Sequence, residues 1–330
     1  MVYYYDIHGI LRILSNIDPF LLNRILPRIF LRGTINSAVD LRILHQDFRY
    51  EERNDKVLYY EGPFKKGVFK AKLLLSSFTE NPTDLLFLSP RYRLFHKLRD
   101  SLFKLLFEVI EIKLLQRGFC FIHSGCVEKD GKAILFTAPA NTGKTSTVLK
   151  LTLEREYNFL SDDMTLLGNS NIVYSYPIAL TCHAAHLNLL KARKGIARSI
   201  KYKSMFSKIP IINKIVSSES KVDILTLIPK RKISQKAKVD KIFFLELGND
   251  CIKQISNEEA RRRISLVGQM HRDLLNEAFA RYAYYCGMDL WKLIMIRQQL
   301  FEQIVYSAET YIVRSRTGRF AEMIFESGLI

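Results

Sequence analysis

One eight-residue segment, in which Gly-Lys-Thr closes a short loop, constrains the fold more than any other part of the chain. Ala138–Thr145 fits the pattern G-x-x-x-x-G-K-[ST] at every fixed position except the first, where alanine replaces glycine. The apolar run Ala133–Thr137 precedes it, and the amphipathic run Ser146–Leu153 follows it. A strand that passes through such a loop into a helix points backbone N–H groups at a phosphate. The context therefore predicts an α/β core with a nucleotide-phosphate loop, against the alternative of a chance Gly-Lys-Thr at a helix cap.

The loop residues have distinct predicted roles. Gly143 permits close backbone approach, Lys144 binds the β- and γ-phosphates, and the Thr145 hydroxyl is a ligand for Mg²⁺. Asn141 stands where related loops often have glycine, and asparagine tolerates the left-handed conformation. Ala138 is the larger departure, because its Cβ is expected to crowd the turn out of the strand. The predicted nucleotide-binding residues are Ala138, Pro139, Ala140, Asn141, Thr142, Gly143, Lys144, Thr145 and Ser146.

Two adjacent acids follow a second apolar strand, predicted over Phe159–Ser161. Such a pair is more often a helix cap or a solvated turn, but after a strand it suits magnesium-dependent phosphoryl transfer. One carboxylate then positions the metal and the other accepts a proton, which makes Asp162 and Asp163 the candidates. His123 lies in a strand predicted over Phe119–Val127. A lone histidine is usually structural, but this strand is expected to pair with the one that feeds the loop, within reach of the γ-phosphate.

The chain of 330 residues suggests two domains. Residues 1–95 read as a smaller strand-rich α+β domain without a chemical motif, which suits a scaffold or partner recognition. A helix is predicted over Arg91–Leu115 from its apolar spacing, and the second domain is assigned to residues 96–330. Asp130-Gly131 predicts a hairpin turn just before the strand that leads into the loop.

The positive charge of the chain is concentrated in one segment. The formal charge is +17, and residues 191–241 hold 15 Lys and Arg against 3 acids. We interpret residues 191–238 as a basic insertion that meets an anionic partner; a merely solvated insertion is the alternative. Its only aromatic residues are Tyr202 and Phe206. So few side chains that could stack on bases argue against nucleic acid as the partner.

Other features bear on the setting of the protein. The longest run without Asp, Glu, Lys or Arg, Met164–Leu190, is too polar to span a membrane. Asp6 and His8 fall where a signal peptide needs an apolar core. The five cysteines form no C-x-x-C pair and are expected to be reduced thiols. Together these observations predict a cytoplasmic protein, with a homo-oligomer left open.

Several motifs, in this order, resemble the HPr kinase/phosphorylase family, whose P-loop kinase core is shared with ATP-dependent phosphoenolpyruvate carboxykinases. The similarity is carried by His123–Gly125, Ala138–Thr145, Leu160–Asp163 and Tyr174–Pro177, and more loosely by Lys241–Leu247 and Ser256–Glu259. It implies a mixed-sheet α/β kinase core with ATP and Mg²⁺ as cofactors. It also implies catalytic roles for Lys144 and for His123 beside the transferred phosphate, with Asp163 as base and Asp162 with Thr145 as metal ligands. The family's glycine-rich segment with Glu and Arg after the acidic pair is missing, so neither phosphorolysis nor HPr as substrate is expected.

The function predicted from these residues is transfer of the γ-phosphate of ATP to a hydroxyl, that of a serine in an acidic protein or peptide. Two alternatives stay open. One is a kinase for a small hydroxyl-bearing molecule. The other is a protein that binds a polyanion under the control of a nucleotide, without transfer chemistry.

Overall fold

The computed structural model describes residues 1–34, 38–48, 57–64, 69–76, 78–79, 81–88, 96–182, 220–271 and 277–330. These residues form two compact units. The first contains the described parts of 1–117 and 277–294, and the second those of 118–182, 220–271 and 295–330. Most of the predicted basic insertion, residues 191–219, lies outside the described residues. No helix within the described ranges is long and apolar enough to cross a membrane.

Strands dominate the first unit, as the sequence predicts. They form a sheet in the order β3-β1-β2-β4-β7-β6-β5, in which the β2–β4 and β4–β7 pairs are parallel and the others antiparallel. Buried and half-buried residues alternate along β2 and β7, the pattern of strands with one face in a core. The strands are β1 (Tyr3–Ile7), β2 (Leu11–Ser15), β3 (Leu31–Arg32), β4 (Leu41–His45), β5 (Val57–Phe64), β6 (Phe69–Ser76) and β7 (Thr83–Leu88).

Helices occur in both units. Over the described residues they are α1 (Pro19–Leu22), α2 (His96–Leu115), α3 (Lys144–Glu154), α4 (Ile224–Leu227), α5 (Asn257–His271), α6 (Glu277–Cys286), α7 (Leu290–Ser307) and α8 (Phe320–Glu326).

Helix α2 lies in the first unit, whereas the sequence assigned it to the second domain. Near its end, Lys113 Nζ donates to Asn81 Oδ1 at 2.9 Å, and Arg117 just beyond it pairs with Asp40 at 2.8 Å. The units therefore divide after residue 117 and not after residue 95. Apolar spacing identifies a helix but does not say which sheet its buried face will contact.

A mixed sheet forms the second unit, in agreement with the predicted α/β class. Its main path is β11-β9-β10-β16-β13-β12-β8, with β18 beside β16 and β17 beside β18. The β10–β16 and β16–β18 pairs are parallel, and β9 is antiparallel to β10 and β11. The strands of this sheet are β8 (Cys120–Ile122), β9 (Ser124–Lys129), β10 (Lys132–Thr137), β11 (Asn158–Ser161), β12 (Thr165–Leu167), β13 (Ile172–Tyr174), β16 (Lys236–Leu247), β17 (Cys251–Gln254) and β18 (Glu309–Ser315). Two more strands, β14 (Leu180–Cys182) and β15 (Ser220–Val222), pair with each other in a separate antiparallel sheet.

The predicted single strand over Phe119–Val127 is wrong, because the chain breaks at His123 into β8 and β9. The two parts have different neighbours: β8 pairs with β12, and β9 pairs with β10 and β11. The predicted hairpin between β9 and β10 is confirmed, with positive φ at Asp130 (52°) and Gly131 (78°).

The topology places three chain connections at one edge of this sheet. Thr137, the last residue of β10, pairs with Ser124, the first residue of β9, and Ser161 at the end of β11 pairs with Cys126. Helix α3 packs so closely on β9 that a Cβ at Gly125 would lie 2.6 Å from Val148 Cγ2. His123, the predicted phosphate loop and the acidic pair consequently meet at the same edge.

Candidate functional site

The loop between β10 and α3 closes around the side chain of Lys144. The ammonium Nζ donates to the carbonyl oxygens of Ala138 at 2.7 Å and Pro139 at 3.1 Å. Asn141 has the left-handed φ of 62° that its residue type tolerates. Ala138 is buried and has no positive φ. Alanine at the first position of the loop therefore does not need the left-handed backbone conformation that would favour glycine.

At Gly143, the residue before α3, both the backbone conformation and a close neighbour require glycine. Its φ is 122°, and a Cβ there would lie 3.1 Å from the Phe320 ring. Phe320 is fully buried and begins α8, which packs against α3 and carries Glu322 in an ion pair with Lys150. This aromatic support was not predicted, because Phe320 is distant in the chain and belongs to no motif.

A hydrogen bond joins the loop to the acidic pair. Thr145 Oγ1 donates to Asp162 Oδ2 at 2.9 Å, and the Asp162 side chain is buried. Its other oxygen, Oδ1, has no hydrogen-bond partner among the described residues. Carboxylate and hydroxyl oxygens are the ligands that Mg²⁺ prefers in proteins. Thr145 and Asp162 thus fit the predicted metal site, with the unpartnered oxygen available to a cation.

Burial shifts the ionisation of two groups at this site. It raises the pKa of Asp162 from 3.8 to about 7, and the neighbouring charge of Asp163 acts in the same direction. The Thr145 hydrogen bond and the charges of Lys144 and Lys221 partly offset this rise. Burial lowers the pKa of Lys144, although the charges of Asp163 and Asp162 oppose this change. Lys221, on β15, belongs to the basic segment, where the sequence assigned it no individual role.

Asp163 sits at the centre of a tight turn. Met164 N donates to the carbonyl of Asp162 at 2.8 Å, and φ of Asp163 is 70°. A non-glycine residue in this conformation is strained, and such strain clusters at functional sites. The turn places Asp163 Oδ1 at 3.4 Å from Nδ1 of the buried His123, and the Asp163 side chain stays 51% exposed. One end of this pair is therefore open to solvent and the other is enclosed.

Three buried hydroxyls surround the turn and were not predicted. Ser124 Oγ donates to Thr165 Oγ1 at 2.8 Å, Thr165 Oγ1 donates to the Ser124 carbonyl at 3.1 Å, and Ser161 Oγ contacts Thr165 Oγ1. All three residues are fully buried. Ser124 and Ser161 adjoin the predicted residues His123 and Asp162, but nothing in the sequence pattern distinguishes Thr165.

The structure brings His123, Lys144, Thr145, Asp162 and Asp163 together at one sheet edge. Among the other predicted loop residues, Thr142 Oγ1 donates to the Pro139 carbonyl at 2.9 Å and stabilises the turn. Pro139, Ala140 and Asn141 are exposed, and Ser146 is half-buried in the first turn of α3. The predicted loop is therefore open to solvent on one side, where a nucleotide would enter.

Comparisons with known proteins identify no family for the chain. No protein-family model matches the sequence, and no curated protein matches it. Among solved structures, it is similar to the HPr(Ser) kinase/phosphatase from Coxiella burnetii, with 14% identity and a TM-score of 0.26. That similarity covers 41% of this chain and 76% of the other. The function must therefore be inferred from the site itself.

Proposed function

We propose that the protein is an ATP-dependent kinase that transfers the γ-phosphate to a hydroxyl, that of a serine in a protein or peptide. The observation that carries this proposal is the hydrogen bond of Thr145 to the buried Asp162, which joins a phosphate-loop sequence to a carboxylate with one unpartnered oxygen among the described residues. The serine acceptor rests on the resemblance of the sequence motifs.

Lys144 is proposed to bind the transferred phosphate. Its ammonium donates to two carbonyl oxygens of the loop, at 2.7 and 3.1 Å. Phosphate oxygens carry negative charge and would replace these neutral acceptors with stronger, charge-assisted partners. Gly143, which has no side chain, would let the same phosphates approach its backbone N–H.

Asp162 and Asp163 are proposed to have different roles, one in metal binding and the other in accepting a proton. Asp162 and Thr145 would hold Mg²⁺, which when bound would neutralise charge that develops on the phosphates. Asp163 reaches solvent, where a hydroxyl acceptor must arrive, and would accept the proton of that hydroxyl. His123, 3.4 Å from Asp163, would orient this carboxylate and lie beside the transferred phosphate.

Two variants and one control test the proposal. Lys144→Ala should weaken ATP binding and lower transfer together, since losing a preorganised donor costs roughly 3–4 kcal/mol of transition-state stabilisation. Asp163→Asn should keep the backbone of the turn, because asparagine, like aspartate, tolerates positive φ. It should leave ATP binding intact while transfer collapses. Lys132→Ala, at the opposite end of β10 where the lysine is 68% exposed, should resemble wild type in both.

Calorimetric titration with Mg-ATP measures binding, and γ-labelled ATP measures transfer to acidic serine peptides and to small alcohols. Wild-type binding and turnover in a folded Lys144→Ala variant would contradict the phosphate-loop role. If no acceptor is labelled and affinity for a polyanion responds to ATP instead, the protein is a nucleotide-controlled binding protein and not a kinase.

A further inference from the structure

Thr165 lies at one end of the turn that carries the acidic pair, and its buried hydroxyl contacts Ser161 at the other end. Ser161 immediately precedes Asp162, and Thr165 begins β12 two residues after Asp163. The contact between Ser161 Oγ and Thr165 Oγ1 therefore closes the turn beneath Asp162 and Asp163. All of these hydroxyl atoms belong to residues with no solvent exposure.

The same hydroxyl contacts the residue that follows the histidine. Ser124 directly follows His123, and both its Oγ (2.8 Å) and its carbonyl oxygen (3.1 Å) contact Thr165 Oγ1. The His123 carbonyl in turn accepts a hydrogen bond from Thr137 Oγ1 at 3.1 Å, at the end of the strand that leads into the loop. Two sets of hydrogen bonds, joined by the His123–Ser124 peptide, thus connect the end of the loop strand with the strained turn at Asp163.

The donors in this cluster can be assigned by counting protons. The Ser124 carbonyl can only accept, so Thr165 must donate its single hydroxyl proton there. Both serine hydroxyls must then donate to Thr165, which accepts with its two lone pairs. In this arrangement every contact has a donor, and Thr165 is the member on which the other two depend.

We propose that Thr165 is a positioning residue, whose hydroxyl fixes Asp162 toward the metal and Asp163 toward His123. It touches neither carboxylate and acts through Ser161 and Ser124. The proposal rests on the proposed function, because a positioning role requires a site in which the carboxylates act together. Without the hydroxyl, two buried donors and one carbonyl lose their partner, and the strained turn loses the contact that closes it.

The variant Thr165→Val removes the hydroxyl at nearly constant size, and Thr165→Ser restores it. The matched control is Thr152→Val in α3, where the buried hydroxyl has no hydrogen-bond partner among the described residues. ATP affinity is measured by calorimetry with Mg²⁺ and with EDTA, together with kcat for ATP hydrolysis. The EDTA value reports the loop alone and checks that each variant is folded.

We expect Thr165→Val to lower the Mg²⁺-dependent gain in ATP affinity and to lower kcat about 10- to 100-fold, the range for a misplaced catalytic group. Its ATP affinity in EDTA should stay within about twofold of wild type, as expected when the loop itself is intact. Thr165→Ser and Thr152→Val should match wild type. A folded Thr165→Val variant with an unchanged Mg²⁺-dependent gain overturns the positioning role, whether or not hydrolysis is detectable. If wild type binds no ATP, the proposed function fails, and the positioning role with it.

Discussion

Replacing Asp162 by asparagine should change the stability of the ligand-free protein by an amount that depends on pH and increasingly favours the variant as pH rises. The asparagine carbonyl can still accept the hydrogen bond from Thr145, so the main contact of the side chain survives. What disappears is a carboxyl whose pKa is raised by burial and by Asp163 from 3.8 to about 7. In the unfolded chain this carboxyl ionises near its ordinary pKa. Between about pH 4 and 7, the unfolded state therefore releases a proton that the folded state keeps.

The size of the effect follows from that difference in pKa. One pKa unit corresponds to 1.36 kcal/mol, so a difference of about three units corresponds to about 4 kcal/mol. Because the folded-state pKa is raised, the wild-type free energy of unfolding falls as pH rises through this window, and the whole penalty is present above about pH 7. The asparagine variant has no such penalty. The difference in unfolding free energy should therefore shift toward the variant by about 4 kcal/mol between about pH 4 and pH 8. The cost of burying the asparagine NH2 group beside the unpartnered Oδ1 position, roughly 1–3 kcal/mol, does not vary with pH.

Urea unfolding followed by far-UV circular dichroism, repeated across this pH range, measures the difference directly. Saturating Mg-ATP supplies a second test: wild type should gain stability from the metal, whereas the variant should gain less because it lacks the charged ligand. A difference in unfolding free energy that is constant with pH would refute the assigned burial and ionisation of Asp162.

The site residues were predictable because their signal is local. A strand, a loop with Gly143-Lys144 and a helix occupy consecutive residues, and so do the strand and acids that end at Asp163. Once β9 pairs with β10 and β11, the ends of these strands lie at one sheet edge and bring the segments together. The hairpin at Asp130-Gly131 was predictable for the same reason, since its turn chemistry lies in two adjacent residues.

The features that the sequence did not predict depend on contacts between distant residues. The break at His123 arises because β8 and β9 pair with different strands. Phe320 packs against Gly143 although the two residues are far apart in the chain. Thr165 differs from other threonines only in the residues that surround it. Ala138 departs from the loop pattern, but its φ is not positive, so the backbone conformation does not itself require glycine there.

Two further predictions concern the loop support and the basic surface. Gly143→Ala should weaken ATP binding and lower Tm, because φ is 122° and the new Cβ would meet Phe320 at 3.1 Å. Gly131→Ala, at φ 78° with nothing within 4 Å, should lower Tm alone; equal effects on calorimetric ATP affinity would contradict the steric account. Neutralising the 3-10 turn Lys230–Lys232, which follows Pro229, should raise the apparent KM for an acidic serine peptide and leave ATP affinity nearly unchanged. This effect should shrink with added salt, since exposed charges are screened over about 8 Å at physiological ionic strength. The opposite pattern, weaker ATP binding with an unchanged KM, would place these cations at the nucleotide, and wild-type values for both would leave the turn as solvated surface without a partner.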